Sequence, residues 1–441
     1  MKLRIKRKEH GRFYCLMAIL LLLICSRYAL QIDIPREFFL AIIAVIALTG
    51  DKDEILAMCM CCIPLHESID LFYAIVICMT FYVIKNYRII HVGAEIASVL
   101  LLIIWELLHY LVQDFSLKMY LANIIPLIVL LIIMSTDVSQ HDYAFTVRVM
   151  AVATVANCCM LLCKVLYWSD FNILKAFAGL QRLGIESEAI SKNSLSISGA
   201  VNPNTLGIIC VLATTALMQL RTTGHGKRRD MWMSAILLVF GALTSSRTFL
   251  VCLLLMILLL IFSQKGSISR KIRFMGAMLA VLMLGFSALY LLFPDLLQYY
   301  VGRFKVADIT TGRSQLMRQY HNFIVTNPKI LLWGIGLQDF GLKLLGTYRV
   351  ATYVPHNGIQ EMIIAWGIPG LILFGMLLLS MILRAAKHNK TLSLLNFIPL
   401  LIILAKSMAG QLVASSYTML ALSYAYLSLS QDFCRTEEQT P

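Results

Sequence analysis

Apolar residues in this chain come in long unbroken runs separated by short polar turns, beginning at Phe13 and repeating almost to the C-terminus. The runs lack the alternation of a membrane β-barrel strand. They suit α-helices, which need ~20 apolar residues, about 30 Å at 1.5 Å per residue, to cross a bilayer. The pattern predicts spans near 13–30, 38–49, 54–65, 71–84, 92–112, 119–134, 144–166, 203–220, 231–244, 249–263, 272–293, 357–383, 391–405 and 408–430, the second and third short enough to be one broken element. The expected fold is all-α, a polytopic transmembrane helical bundle of twelve to fourteen spans. Its blocks are N-terminal helices (1–166), central helices with an outer loop at 167–201 (167–293), a large extracytoplasmic loop (294–356), and C-terminal helices with a short tail (357–441).

Composition narrows the class. Of 441 residues, 59% are hydrophobic and 14% charged, which excludes a water-soluble globule, where about a quarter are charged, and excludes disorder, which needs few apolar residues. The formal net charge of +14 reads as a topology signal. Lys2, Arg4, Lys6, Arg7, Lys8 and Arg12 precede the first run, and the polar turn Gln31–Glu37 follows it where a signal peptide would have a small-residue cleavage site. That run is therefore read as a first span with a cytoplasmic N-terminus. With fourteen spans, the basic turns Lys85–Arg88, Arg221–Arg229, Lys265–Arg273 and Arg384–Lys390 all fall inside, as does the C-terminus. These separated turns form no basic stripe interleaved with aromatics, so nucleic acid is not an expected partner. Of the twelve Cys, all but Cys434 sit in apolar runs, which excludes a secreted disulfide framework. The cluster Cys59, Cys61, Cys62, His66 fits no zinc spacing and reads as helix packing.

Two outer segments interrupt the rhythm of short turns, Tyr167–Val201 and Pro294–His356. Loops of that length commonly carry function. In the second, Leu316, Tyr320, Phe323 and Ile324 share one face of a predicted helix over Arg313–Thr326, ended by Asn327-Pro328, which suits a helix lying on the membrane surface. The loop holds seven Lys or Arg (Arg303, Lys305, Arg313, Arg318, Lys329, Lys343, Arg349) against three acids (Asp295, Asp308, Asp339) and reads as a basic lid suited to an anion.

Three features point to the same outer face. The tight turn Thr244–Thr248 places Arg247 at the interface, where it is either a site residue or an arginine snorkelling to headgroups. Asn202-Pro203-Asn204 opens a span, with Asn202 as N-cap and Pro203 at the first helical position, leaving N–H groups and the positive dipole end for a phosphate, or simply capping a helix. His356-Asn357 begins another span, in which Asn357 and Glu361 share a face and Gly367-Ile368-Pro369-Gly370 marks a kink.

From Asn202 to Gly370 these elements are similar to those of the O-antigen ligase and O-antigen or capsular polysaccharide polymerase family of bacterial polytopic glycosyltransferases. The resemblance rests on Asn202-Pro203-Asn204, Ser245-Ser246-Arg247, Gly312-Arg313, Gly334-Ile335-Gly336, and His356-Asn357 with Glu361 and Gly367. Residues 1–166 contribute only span count. The resemblance implies a fold like the GT-C-type membrane glycosyltransferases. It also implies an undecaprenyl-diphosphate-linked glycan as donor and acceptor, held at the outer face of the bacterial cytoplasmic membrane. On it, Arg247 and Arg313, or Arg318 in place of Arg313, hold the diphosphate together with Asn202 and Asn204, and His356 assists the acceptor, with Glu361 orienting it or serving instead. Membrane lipids, a flippase and a chain-length regulator would be the further partners. Asp51-Lys52-Asp53 has the Asp-X-Asp pattern by which metal-dependent enzymes of such architecture hold a divalent ion, but the span count puts it in the cytoplasm, as a solvated turn. No metal or cofactor is expected. The leading expectation is a polymerase of lipid-linked repeat units. A ligase using the same donor and, in a different class, a flippase of lipid-linked sugars are the alternatives; transporters favour inverted repeats and polar groups at mid-depth. Lys164, Glu106 and Lys406 are the ionisable exceptions within apolar runs and are read as near span ends.

Overall fold

The computed structural model describes residues 10–87, 93, 96–112, 117–168, 170–172, 183–184, 201–222, 224–263, 313–337, 340–346, 355–388, 392–408 and 410–432, with scattered positions between 269 and 294. Every regular element among them is a helix: α1 (Gly11–Tyr28), α2 (Arg36–Thr49), α3 (Lys52–Leu65), α4 (Leu71–Asn86), α5 (Ala97–Val112), α6 (Leu117–Met134), α7 (Gln140–Trp168), α8 (Pro203–Thr222), α9 (Arg228–Leu243), α10 (Arg247–Ser263), α11 (Arg313–Thr326), α12 (Pro328–Leu332), α13 (Phe340–Gly346), α14 (Gly358–His388), α15 (Leu394–Ser407) and α16 (Ser416–Leu429). Among the described residues four helices, α1, α7, α8 and α14, are long and apolar enough to cross a membrane, while α4, α5, α10, α15 and most of α6 are apolar but shorter. The span expected at 272–293 lies almost wholly outside the described residues.

Three helices form the centre. α3, α8 and α16 are buried on nearly every face, and in α3 the small side chains Ala57, Cys59, Cys61 and Cys62 let α4 and α7 approach closely. Around them, α1, α2, α10 and α14 turn large apolar side chains outward, with Leu22, Leu48, Leu254 and Leu379 all more than half exposed. A water-soluble protein would cover such faces; hydrocarbon accepts them. Several buried polar groups of the centre are paired with one another. Tyr143 donates to Gln219 Oε1 at 2.8 Å, and Gln219 Nε2 donates to Leu395 O and Ser428 Oγ at 2.7 Å each, tying α7, α8, α15 and α16 together.

Three sequence expectations are corrected. Asp51-Lys52-Asp53 is not a solvated turn: the Asp51 N–H donates to Glu54 Oε2 at 3.0 Å as α3 begins, and Asp53 and Glu54 are buried beside His10, whose Nδ1 lies 2.9 Å from Glu54 Oε1. Glu106 is not near a span end: it sits mid-way along α5 with its carboxylate buried, accepting from Leu337 N at 3.0 Å and Trp366 Nε1 at 2.7 Å. The last span does not start at 408, because residues 410–415 leave the helical path and α16 begins at Ser416. The short elements at 38–49 and 54–65 are two separate helices, α2 and α3.

Candidate functional site

The site is assembled at one end of the bundle, where α8 and α10 begin and α3 and α15 finish. Asn202 Oδ1 accepts the Asn204 N–H at 2.9 Å, which turns the chain into α8, and Asn204 Oδ1 accepts from Ser246 Oγ at 2.7 Å. That bond joins the start of α8 to the Thr244–Ser246 turn. Ser245 adopts φ 50°, and Phe249 reaches back across the turn to Gly241, where an added Cβ would lie 2.1 Å from its ring. Only glycine at 241 lets α9 and α10 pack this closely. The turn thus delivers Arg247 and Thr248 as the first residues of α10.

From the other side, α11 presents Arg313 at its first position, held over α14 by Gln360 Nε2, which donates to Met317 O at 2.9 Å. The run Gly334-Ile335-Gly336 docks on the break in α14: Ile335 N and Gly336 N donate to Ile364 O and Ala365 O at 2.9 and 2.8 Å. Gly334 and Gly367 both have positive φ, 81° and 68°, and a Cβ on Gly334 would meet Ala365 O at 2.4 Å. The glycine punctuation read from the sequence is therefore two backbones in direct contact.

These elements enclose a cavity of about 130 Å³ lined by Asn202, Asn204, Thr205, Ile208, Thr248, Arg313, His356, Lys406, Gly410, Gln411 and Tyr417. Four of the expected residues, Asn202, Asn204, Arg313 and His356, are brought together in it. Arg247 is adjacent to it: Thr248 lines the wall, and the Arg247 charge, after burial, pushes the pKa of the Arg313 guanidinium down. The His356 imidazole is likewise pushed below its ordinary value, first by burial and then by the charges of Arg313 and Lys406. Both effects favour the neutral ring, and among the described residues no acid lines the cavity.

Two expected residues take other places. Arg318 is exposed and not part of the wall; five residues beyond Arg313, it is half a helical turn out of phase and points away from the cavity side. Glu361 is fully buried, with its carboxylate receiving the N–H groups of Leu412, Val413 and Ala414, the last two at 3.1 Å. Its oxygens are committed to the 410–415 connection, so it positions Gly410 and Gln411 in the wall instead of meeting a ligand. Gly312, Arg303, Lys305 and Arg349 lie outside the described residues.

Sequence reasoning missed Lys406, Tyr417, Thr205 and Gln411. Lys406, at the end of α15, donates to Thr418 Oγ1 at 2.8 Å and to Gln411 O, and stands 4.9 Å from the Tyr417 ring centroid. Tyr417 accepts from Thr205 Oγ1 at 3.2 Å and stacks on His66, centroids 5.0 Å apart. The signal for Lys406 was in the chain, as a lysine in an apolar run. An apolar groove runs between α10, α14 and α15, lined by Leu255, Met362, Phe374, Leu401, Leu404 and Leu412 among others, and Leu412 follows the cavity's Gln411 in the chain. The thiols of α3 are buried, and the described residues contain no group of three or more His, Cys, Asp or Glu placed to hold a metal.

The arrangement is a small cationic and amide-lined cavity with one imidazole whose neutral form is favoured, together with an apolar groove whose residues neighbour it in the chain. Such a set can neutralise a phosphate-bearing anion and accept a proton next to it. Comparison with known proteins finds no family model that matches the chain and no match among curated proteins.

Proposed function

We propose that this chain is a membrane glycosyltransferase of GT-C-like architecture that joins undecaprenyl-diphosphate-linked oligosaccharide repeat units at the outer face of the bacterial cytoplasmic membrane, by metal-independent inverting transfer. The observation that carries the reading is the cavity of Arg313, Lys406 and His356, without an acid among the described residues, together with an apolar groove whose Leu412 follows the cavity's Gln411 in the chain. A polyprenyl diphosphate has the matching parts, two phosphates joined to a long hydrocarbon.

In this reading Arg313 and Lys406, with Arg247 behind, face the diphosphate, while the capped start of α8 adds its dipole and the amide of Asn204. Charge builds on the departing phosphate oxygen as the acceptor hydroxyl attacks the anomeric carbon, and fixed cations aimed there favour the transition state over the ground state. His356, neutral and unprotonated, takes the hydroxyl proton; the bond to the diphosphate breaks as the new glycosidic bond forms, and a single displacement inverts the carbon. The cations present can offset the leaving charge without a divalent ion. Location of the cavity at helix ends favours a surface enzyme over a flippase. Transfer to a different acceptor, as in a ligase, would use the same donor site.

The test is reconstitution with lipid-diphosphate repeat units, reading product length. Arg313→Ala is expected to slow chain growth by roughly 10²–10³-fold, the size found for loss of one preorganised charge-stabilising donor, and His356→Ala by ~10²–10⁴-fold. Arg247→Ala is expected to slow growth as well, and a chelator is expected to have no effect. Normal growth in both the Arg247→Ala and Arg313→Ala proteins, with unchanged thermal stability, removes the mechanism.

A further inference from the structure

The opposite end of the bundle holds a second cavity, larger than the first. About 290 Å³ in volume, it is lined by His10, Tyr14, His141, Ala144, Phe145, Arg148, Lys227 and Arg229. Three helices, α1, α7 and α9, begin at its wall, at Gly11, Gln140 and Arg228, so three positive dipole ends converge where the basic side chains do. No acid lines it among the described residues. Acids stand behind the wall and pair with three of its residues: Glu54 and Asp53 with His10, Asp142 with His141 at 3.8 Å, and Asp230 with Arg148, which leaves the charge to Lys227 and Arg229. Asp230 accepts from Arg148 Nη2 at 3.0 Å and Nε at 3.2 Å and from the Lys227 N–H at 2.8 Å, while Glu54 engages His10 Nδ1. Arg229, whose side chain is 63% exposed, keeps only a 4.0 Å approach to Asp230.

The His10 ring, stacked on Phe145 with centroids 4.1 Å apart, is only 9% exposed and turns both nitrogens to acids of α3, Nδ1 at 2.9 Å from Glu54 Oε1 and Nε2 at 3.7 Å from Asp53 Oδ2. Tyr14 completes the picture: it lines the cavity and is half exposed on the outward surface of α1, where Leu22 also faces outward. The cavity therefore opens at the boundary between the polar end of the bundle and its apolar girdle.

We propose that this cavity is a binding site for a phosphate-bearing anion, separate from the glycan site, and that an anionic phospholipid headgroup fills it from the surrounding leaflet. Arg229 and Lys227 supply the charge, the starts of α1, α7 and α9 their positive dipole ends, and Tyr14 and Phe145 the flanking apolar contact. A soluble phosphate has the same headgroup chemistry and is the other source. The proposal needs only that the chain spans a membrane and is independent of the reaction at the other end.

The purified full chain in a neutral detergent is titrated with dioleoyl phosphatidylglycerol, dioleoyl phosphatidylcholine, inorganic phosphate or pyrophosphate, and its thermal unfolding is followed. Phosphatidylglycerol is expected to raise Tm and phosphatidylcholine not to. Arg229→Ala and Lys227→Ala/Arg229→Ala are expected to weaken the apparent affinity by roughly fivefold for each cation removed. Lys271→Ala/Arg273→Ala, the same charge change elsewhere, is expected to leave the response intact. Arg229→Ala, at an exposed side chain, reads the effect even where the double variant unfolds. A Tm response to phosphate or pyrophosphate that the same variants lose supports the site with a soluble source. No response to any of these anions, or one that Arg229→Ala and the double variant keep in full, overturns the proposal.

Discussion

At the residue scale the site turns on the environment of one imidazole. His356 has its pKa lowered by burial and by two cations, so its neutral form is favoured in the folded protein. The sign follows: the stability this contributes is complete above the ordinary His value of about 6.5 and diminishes as pH falls below it. The proposed role of neutral His356 as base carries a second consequence. A bound diphosphate places negative charge beside the ring and pulls its pKa back up. The acid limb of kcat/KM, which reports the free enzyme, is therefore expected below pH 6.5, and the acid limb of kcat, which reports the loaded enzyme, at higher pH than that. Measured pH profiles in which the two limbs coincide, or in which His356→Ala retains either limb, contradict this role. Glu361 illustrates what a sequence conceals at this scale. The family resemblance made it a candidate beside His356, yet three backbone N–H groups from a segment some fifty residues later occupy its oxygens.

At the element scale, the contact between Gly334-Ile335-Gly336 and the break in α14 is the joint on which the site's upper wall rests. Trp333 O and Leu337 N are held from the side by α5, through His109 Nε2 at 2.7 Å and Glu106 Oε1 at 3.0 Å. Gly334→Ala forces a Cβ to within 2.4 Å of the Ala365 carbonyl oxygen at φ 81°, which backbone must move to relieve. The expected cost is of order 1–3 kcal/mol, by analogy with other strained backbone positions. It should appear as a lower Tm together with faster protease cleavage of the 328–337 segment; an unchanged Tm contradicts the joint. The sequence made this region only half legible. Glycine punctuation and a proline announced a turn and a kink, and the period-3.6 pattern placed the amphipathic helix at Arg313–Thr326, where α11 lies. That the turn sits on the kink is a long-range fact, invisible to local pattern. The same limit explains the misplaced start of the last span. Leu412-Val413-Ala414 is apolar enough to read as helix, but its N–H groups bond a buried carboxylate instead of preceding carbonyls.

At the scale of the whole molecule, the positions of the basic turns relative to the two cavities decide what the protein can meet. Lys85, which donates to Ala47 O and Leu48 O at 3.0 and 2.9 Å, and Arg148, paired with Asp230, belong to the end that holds the second cavity. Arg313, His356 and Lys406 belong to the other. Basic turns gather on the cytoplasmic side of membrane proteins, so the cavity of Arg313, His356 and Lys406 is expected outside, where α11 also carries the exposed Arg318. A cysteine at Arg318, in Arg318→Cys, is expected to react with a membrane-impermeant maleimide added to intact cells. A cysteine at the exposed Lys387, near the end of α14, is expected to react only after permeabilisation. The unsubstituted chain, with its native thiols, sets the background. The reverse pattern puts Arg313 and His356 in the cytoplasm and leaves them no lipid-linked repeat units to join on the outer face. The chemistry of the cavity would then belong to a cytoplasmic phosphate-bearing substrate, whatever the kinetics of the individual variants.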